Sequence, residues 1–112
     1  MSYRFYSKQG VDVLCCEGDL SADEMVKMKE RLSRLLSRNH RKVLLNLSSA
    51  RRVELAGLGI LVDRLKKMRA QRGDIKLCNM RPEVSQTFDR VGVGRLMQSY
   101  QSEEEALQSF AA

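Results

Sequence analysis

The sequence is poor in several residue types, and each shortage excludes a class of protein. Its 112 residues include one proline, one histidine and no tryptophan. The three cysteines, Cys15, Cys16 and Cys78, show no CxxC spacing, so neither a disulfide framework nor a zinc ligand set is predicted. The longest weakly polar run, residues 55–62, is far shorter than the ~18 residues that span a bilayer, and residues 1–5 lack an apolar signal-peptide core. We therefore predict no metal, no membrane insertion and a reducing, cytoplasmic setting.

The motifs that carry catalysis are also missing. The single histidine, His40, lies in the basic segment 38–41, and its predicted position is a solvated loop. Gly57-Leu58-Gly59 lacks the third glycine of a dinucleotide-binding loop, and the chain has no Walker lysine loop, no HExxH and no Gly-x-Ser-x-Gly. We therefore predict a protein that is not an enzyme and that holds no cofactor.

What the sequence has is an ordinary globular composition with an excess of positive charge. It is 43% apolar and 30% charged, with 20 Lys and Arg against 14 Asp and Glu, a net charge of +6. At ~100–150 residues per domain, residues 1–112 predict one domain. Because many basic residues alternate with apolar ones at helical spacing, we interpret them as solvated helix faces and do not expect nucleic acid as the partner. A basic nucleic-acid-binding protein is the remote alternative, with a surface built from Arg31, Arg34, Arg38, Arg41, Lys42, Arg51 and Arg52.

The apolar pattern predicts an α/β fold that begins with a hairpin. Two short strands, 3–7 and 11–17, flank Gln9-Gly10, and the capping box Ser21-Ala22-Asp23-Glu24 begins a helix. The later elements alternate: a strand at 42–47 that ends in Ser48-Ser49, a helix at 57–72, a strand at 75–79, a helix at 82–91 with Val84, Phe88 and Val91 inward, a strand at 96–100, and a helix opened by Ser102. Helical connections between later strands predict parallel pairing in one mixed sheet.

One segment, residues 43–59, runs from a buried strand through a loop into a helix N-terminus. The first backbone N–H groups of a helix have no partner within the helix, and the helix dipole makes this end positive. Such a junction is suited to bind or carry an anion. The alternative is that Gly57 and Gly59 only let the helix approach the sheet closely.

A family resemblance rests on this segment and on four others. Glu54-Leu55-Ala56-Gly57-Leu58-Gly59 resembles the Asp-Ser-Ser-Gly-Leu-Gly that opens the second helix of STAS domains, the fold of bacterial anti-sigma factor antagonists. The further matching segments follow in the same order: Arg72-Gly73-Asp74-Ile75-Lys76-Leu77-Cys78-Asn79, Pro82-Glu83-Val84 with Phe88, Val91-Gly92-Val93, and Ser102-Glu103-Glu104-Glu105-Ala106-Leu107. The resemblance covers nearly the full length and implies a STAS fold.

The resemblance implies partner switching in transcription regulation. In antagonists of this type, the unphosphorylated domain binds a GHKL-type serine kinase that acts as the anti-sigma factor, and the sigma factor is released. Phosphorylation of the second serine of the hexapeptide abolishes that binding. The implied protein is thus a non-enzymatic interaction module of the bacterial cytoplasm with a protein partner. An alternative within the same family is an accessory subunit that docks on the ATPase of a phospholipid-trafficking transporter.

This sequence departs from the family pattern at the phosphorylation site. Ala56 stands at the phosphoacceptor position, Leu55 replaces the preceding serine, and Glu54 replaces the aspartate. The strand-end aspartate of the family falls on Asn46. We therefore predict that ordinary kinase control at position 56 is impossible. The predicted partner-binding residues are Arg51, Arg52, Glu54, Leu55, Ala56, Gly57, Leu58 and Gly59.

Overall fold

The computed structural model describes residues 2–111, with side chains from residue 4 onward. The chain begins with an antiparallel hairpin of β1 (Ser2–Lys8) and β2 (Val11–Leu20). Gln9 and Gly10 between them have φ angles of 55° and 77°. Two consecutive positive φ angles are what a tight two-residue hairpin requires, and glycine adopts one of them without strain. The predicted hairpin is confirmed.

Helices and strands then alternate, as the sequence predicts. The elements after the hairpin are α1 (Ala22–Ser37), β3 (Lys42–Val53), α2 (Leu55–Ala70), β4 (Asp74–Cys78), α3 (Pro82–Arg90), a short 3-10 turn (Val93–Arg95), β5 (Ser99–Tyr100) and α4 (Glu103–Ala111). The sheet order is β1-β2-β3-β4-β5. Strands β2 to β5 pair in parallel, and only β1 is antiparallel to its neighbour. The predicted α/β fold with a mixed five-stranded sheet is confirmed.

Two helix starts follow from serine caps. The Ser21 hydroxyl accepts a hydrogen bond from the Glu24 backbone N–H at 3.2 Å, and the Ser102 hydroxyl accepts one from the Glu105 N–H at 3.1 Å. Each bond satisfies one of the backbone donors that the first helical turn leaves without a partner. The capping signals in the sequence therefore mark both helix starts correctly.

The sheet is covered on both faces, and the two adjacent cysteines of β2 show how. Cys16 packs with the larger cluster, which includes side chains from α1, α2 and α3, whereas Cys15 packs with the smaller cluster beneath α4. Adjacent strand residues point to opposite faces, so the two thiols cannot act together. In the larger cluster, Phe88 of α3 is fully buried. In the smaller one, α4 contributes Ala106 and Leu107, with Phe110 partly buried beside them.

Several element boundaries differ from the sequence prediction. Strand β3 continues past Ser48-Ser49 to Val53, because β2 itself extends to Leu20 and pairs with it there. Helix α2 begins at Leu55 and not at Gly57. Helix α3 ends at Arg90 before the left-handed Gly92, so Val91 is exposed and not inward. The last strand is only Ser99–Tyr100. The polar serines do not end β3, because its pairing with β2 continues across two register shifts and Ala50 and Val53 still lie in the core.

The buried thiols should be inert in the folded protein. Burial raises the pKa of both Cys16 and Cys78 to about 12; for Cys78 the Glu103 carboxylate adds to the effect. Since the thiolate is the reactive form, a thiol reagent at pH 8 should leave these two cysteines unmodified in the native state. Mass spectrometry should show three modified thiols only after unfolding in denaturant. Rapid native-state labelling of Cys16 or Cys78 would show that the helices do not cover the sheet as described.

Candidate functional site

The junction between β3 and α2 is the segment on which the family resemblance rests. Only Glu54 separates the last strand residue, Val53, from the first helical residue, Leu55. The backbone N–H of Glu54 donates to the carbonyl of Leu20 at 2.9 Å, so β2 fixes the point where the chain leaves the sheet. Arg51 and Arg52 are exposed on the final part of β3. The predicted loop is therefore a strand that leads almost directly into a helix.

Glu54 joins the starts of α1 and α2. It occupies the N-cap position of α2, but its side chain makes no capping bond to that helix. Its Oε2 accepts instead from the backbone N–H of Ala22, the first residue of α1, at 3.1 Å. A carboxylate at a helix N-terminus is favoured by the helix dipole. The first turn of α2 contains no acidic residue.

The first turn of α2 exposes an apolar pair. Leu55 is 51% exposed, and Ala56, the second helical residue, is also exposed. Gly59 is exposed one turn later, whereas Gly57 and Leu58 are buried. The eight predicted partner-binding residues therefore divide into two buried residues that support the helix and six that lie at the surface. We call those six the α2 N-terminal surface: Arg51, Arg52, Glu54, Leu55, Ala56 and Gly59.

The two glycines of this segment have different environments. A Cβ added to Gly57 would lie 2.6 Å from Cγ of Met25 and 3.5 Å from the carbonyl oxygen of Ser21. A Cβ added to Gly59 would have no atom within 4 Å. Glycine at position 57 thus permits close contact between α2 and α1, and not between α2 and the sheet as one sequence interpretation had it. Gly59 has no packing role.

Asn46, at the position of the family's strand-end aspartate, is held by internal hydrogen bonds. Its Oδ1 accepts from the Ser48 N–H at 3.0 Å, and its Nδ2 donates to Oε1 of Glu103 at 3.4 Å. The Tyr6 hydroxyl donates to the same Glu103 oxygen. Burial and this bond to Glu103 raise the pKa of Tyr6 well above its usual value. Asn46 therefore ties β3 to the first turn of α4.

An Asp–His pair at the other end of the sheet is absent from the sequence interpretation. The carboxylate of Asp12 is buried; it accepts from the Ser7 hydroxyl at 2.9 Å and lies 2.8 Å from Nδ1 of His40. His40 is exposed as predicted, but it is paired and not simply solvated. The carboxylate stands between the hydroxyl and the imidazole, so His40 is not placed to activate Ser7 as a nucleophile. The sequence feature that could have indicated this pair is the position of Asp12, a charged residue between Val11 and Val13 in a buried strand.

Two searches for other kinds of site concern the described residues alone. Between residues 2 and 111, no group of three or more His, Cys, Asp or Glu side chains converges in a way that could hold a metal ion. Within the same range, none of the helices combines the length and the apolar character needed to cross a membrane.

Comparison with known proteins identifies the family. The chain is 27% identical over 103 residues to the anti-sigma F factor antagonist of Paenibacillus polymyxa. The aligned region covers 88% of this chain and 86% of that protein. The fold of this chain is similar to that of a Thermotoga maritima protein assigned as an anti-sigma factor antagonist, with a TM-score of 0.90, 19% identity and coverage of 98% and 95% of the two chains. The fold is also similar to that of the anti-sigma factor antagonist SpoIIAA in its unphosphorylated form, with a TM-score of 0.84 and 20% identity. The alignment covers 98% of this chain and 96% of SpoIIAA.

The match to a family model is nearly as long as the chain. The STAS domain model matches residues 3–106, which include the β3–α2 junction and the start of α4. The order of elements and the mixed sheet agree with the solved anti-sigma factor antagonists. This chain belongs to the STAS domain family, and anti-sigma factor antagonists are among its relatives.

Proposed function

We propose that this STAS domain is an anti-sigma factor antagonist of the bacterial cytoplasm that binds a serine-kinase-type anti-sigma factor and performs no catalysis itself. The observation that carries the proposal is the exposed pair Leu55–Ala56 at the start of α2, where the family places its two serines. The relatives named as anti-sigma factor antagonists support the choice of partner class.

The α2 N-terminal surface has the composition of a protein docking site. Its centre is apolar, and its rim carries the exposed charges of Arg51, Arg52 and Glu54. Interface centres are typically depleted of charge and surrounded by a polar rim. Covering the half-exposed Leu55 side chain would contribute roughly 1 kcal/mol of hydrophobic stabilisation, and the rim charges would set orientation.

Ala56 makes this surface permanently competent for binding. SpoIIAA has been solved in both an unphosphorylated and a phosphorylated form. A phosphoryl group on a hydroxyl at position 56 would add about 1.5 to 2 negative charges to the centre of the interface, where repulsion and desolvation oppose docking. The methyl group of alanine cannot accept phosphate. The chain therefore acts as a constitutive form of the antagonist.

The experiment begins by capturing the partner with a tagged chain and identifying it by mass spectrometry. With the purified kinase partner, the wild-type chain should bind equally with and without ATP. Ala56→Ser should restore the switch: ATP should lead to phosphate on Ser at position 56, and binding should then fall. The matched control is Ala70→Ser, which places the same hydroxyl on the exposed last residue of α2.

Three results would contradict the proposal. Phosphorylation of the wild-type chain that releases the partner would show that control persists at another residue. Unchanged binding of Ala56→Ser after stoichiometric phosphorylation would place the interface elsewhere. Capture of a transporter ATPase, with no kinase present, would favour the accessory-subunit alternative.

A further inference from the structure

We propose that a basic cleft at the opposite end of β3 from the α2 N-terminal surface binds a small phosphate-bearing ligand. The cleft has a volume of about 230 Å³ and lies between the start of β3, the connection from α2 to β4, and the C-terminal end of α4. Four cationic side chains line it: Arg41, Lys42, Arg72 and Lys76. None of the residues of this cleft belongs to the proposed partner interface.

Lys76 is the buried member of the set. It lies in the middle of β4 and is only 7% exposed. Its Nζ donates to the Ser109 hydroxyl at 2.8 Å and lies 4.4 Å from the centre of the Phe110 ring. Among the described residues, no carboxylate lies within ion-pair distance of it. Burying an ammonium group is costly, and the rings of Phe110 and Tyr100, the second with its centre 5.7 Å from Nζ, compensate only in part.

The cleft keeps a surplus of positive charge. Among the described residues that line it, the one acidic residue is Asp74, and the Oδ1 of that carboxylate already accepts from Nε of Arg69 at 3.1 Å and from the Ile75 N–H at 2.9 Å. Asp74 is thus balanced by Arg69, and among the described residues that line the cleft the four basic side chains have no other acidic neighbour. Clustered positive charges raise the electrostatic potential in the cleft, and a bound anion would lower it. Guanidinium groups match phosphate oxygens in geometry as well as in charge.

The backbone fixes the two segments that carry Arg41 and Arg72 relative to each other. The Asp74 N–H donates to the carbonyl of Arg41 at 2.8 Å, and a Cβ on Gly73 would lie 2.4 Å from that same oxygen. The connections that carry Arg41 and Arg72 are thus joined at a distance that only glycine permits. Arg72 itself has a φ angle of 66°, a left-handed backbone conformation that residues other than glycine rarely adopt. The backbone that carries Arg41 and Arg72 is therefore in place before any ligand arrives.

Cleft size and charge favour a small phosphate compound over other anions. The volume suits a phosphate or pyrophosphate group and is far smaller than a nucleic-acid duplex. An adjoining cleft of about 400 Å³ shares Arg41 and Lys42, but the buried Asp12 carboxylate lines it and repels anions. The basic residues that a nucleic-acid surface would need are also divided, because Arg51 and Arg52 lie at the far end of β3.

The test is calorimetric titration with pyrophosphate at constant ionic strength. The wild-type chain should bind one pyrophosphate per chain. The double variant Arg41→Gln with Arg72→Gln should bind at least ~10-fold more weakly, since two charge-assisted contacts are lost. The matched control, Lys66→Gln with Lys67→Gln, removes the same two charges from exposed positions of α2 and should retain the wild-type affinity.

Several results would overturn this proposal. No heat of binding with pyrophosphate, or an equal loss in both double variants, would mean that the cleft is not a specific site. Binding to vesicles of anionic phospholipid, or to duplex DNA, without binding to free pyrophosphate would assign the charge to a membrane or nucleic-acid surface. Thermal unfolding of each variant without ligand separates loss of the site from loss of the fold.

Discussion

Replacing Ala56 with glutamate should weaken binding to the anti-sigma partner at least 100-fold while the domain stays folded. The side chain at position 56 is exposed at the centre of the α2 N-terminal surface, so a carboxylate there would be buried without a counter-charge on docking. Such an unpaired buried charge costs about 3 kcal/mol or more. In the free domain, the same carboxylate lies at the positive end of the helix dipole, which is worth about 0.3–1 kcal/mol in favour of folding. Binding and stability should therefore change in opposite directions.

That opposition separates an interface effect from unfolding. Ala70→Glu is the matched control, because Ala70 is the exposed last residue of the same helix. There a carboxylate opposes the dipole, so stability should fall slightly while binding stays at the wild-type level. Titration against the captured partner gives the affinities, and urea unfolding gives the stabilities. If Ala56→Glu, and Leu55→Asp beside it, bind as tightly as the wild-type chain, the α2 N-terminal surface is not the interface.

The fold could be predicted from the sequence because local signals agree with one another. Ser21 and Ser102 mark helix starts through the bonds that they make, and the apolar spacing between them distinguishes strand from helix. The extension of β3 to Val53 could not be predicted, since it depends on pairing with Leu20, thirty-three residues away in the chain. The prediction that Val91 lies inward is wrong because periodicity alone does not locate the residue where a helix ends.

The site was predictable only as a segment. The hexapeptide places residues 54–59 together, but it does not show that Gly57 and Leu58 are buried while Leu55 is exposed. Nor does it show that the Glu54 carboxylate bonds to Ala22 of another helix. The basic cleft was not predictable at all, because Arg41, Arg72 and Lys76 come from three separate segments. Long-range packing decides these arrangements, and no local pattern encodes them.

The two glycines of the hexapeptide should respond in opposite ways to alanine. Gly59→Ala should stabilise the domain by about 0.5–1 kcal/mol, because alanine restricts the unfolded chain and its methyl group meets no atom. Gly57→Ala restricts the unfolded chain in the same way, but its Cβ would lie 2.6 Å from Cγ of the buried Met25. Overpacking of this kind costs about 1–3 kcal/mol, so a net loss of about 1–2 kcal/mol is expected.

Urea unfolding, monitored by circular dichroism, gives the free energy of unfolding of both variants. The gain in helix propensity is the same in each, so it cancels when the two values are compared. The difference of about 2 kcal/mol between them therefore reports the contact of α2 with α1 alone. Gly57→Ala should also weaken partner binding, because α2 must shift away from Met25 and carry Leu55 and Ala56 with it. Gly59→Ala should bind within a few-fold of wild type, since a methyl group adds little at the edge of the surface. Equal stabilities for the two variants would show that α1 and α2 are not in close contact at Gly57.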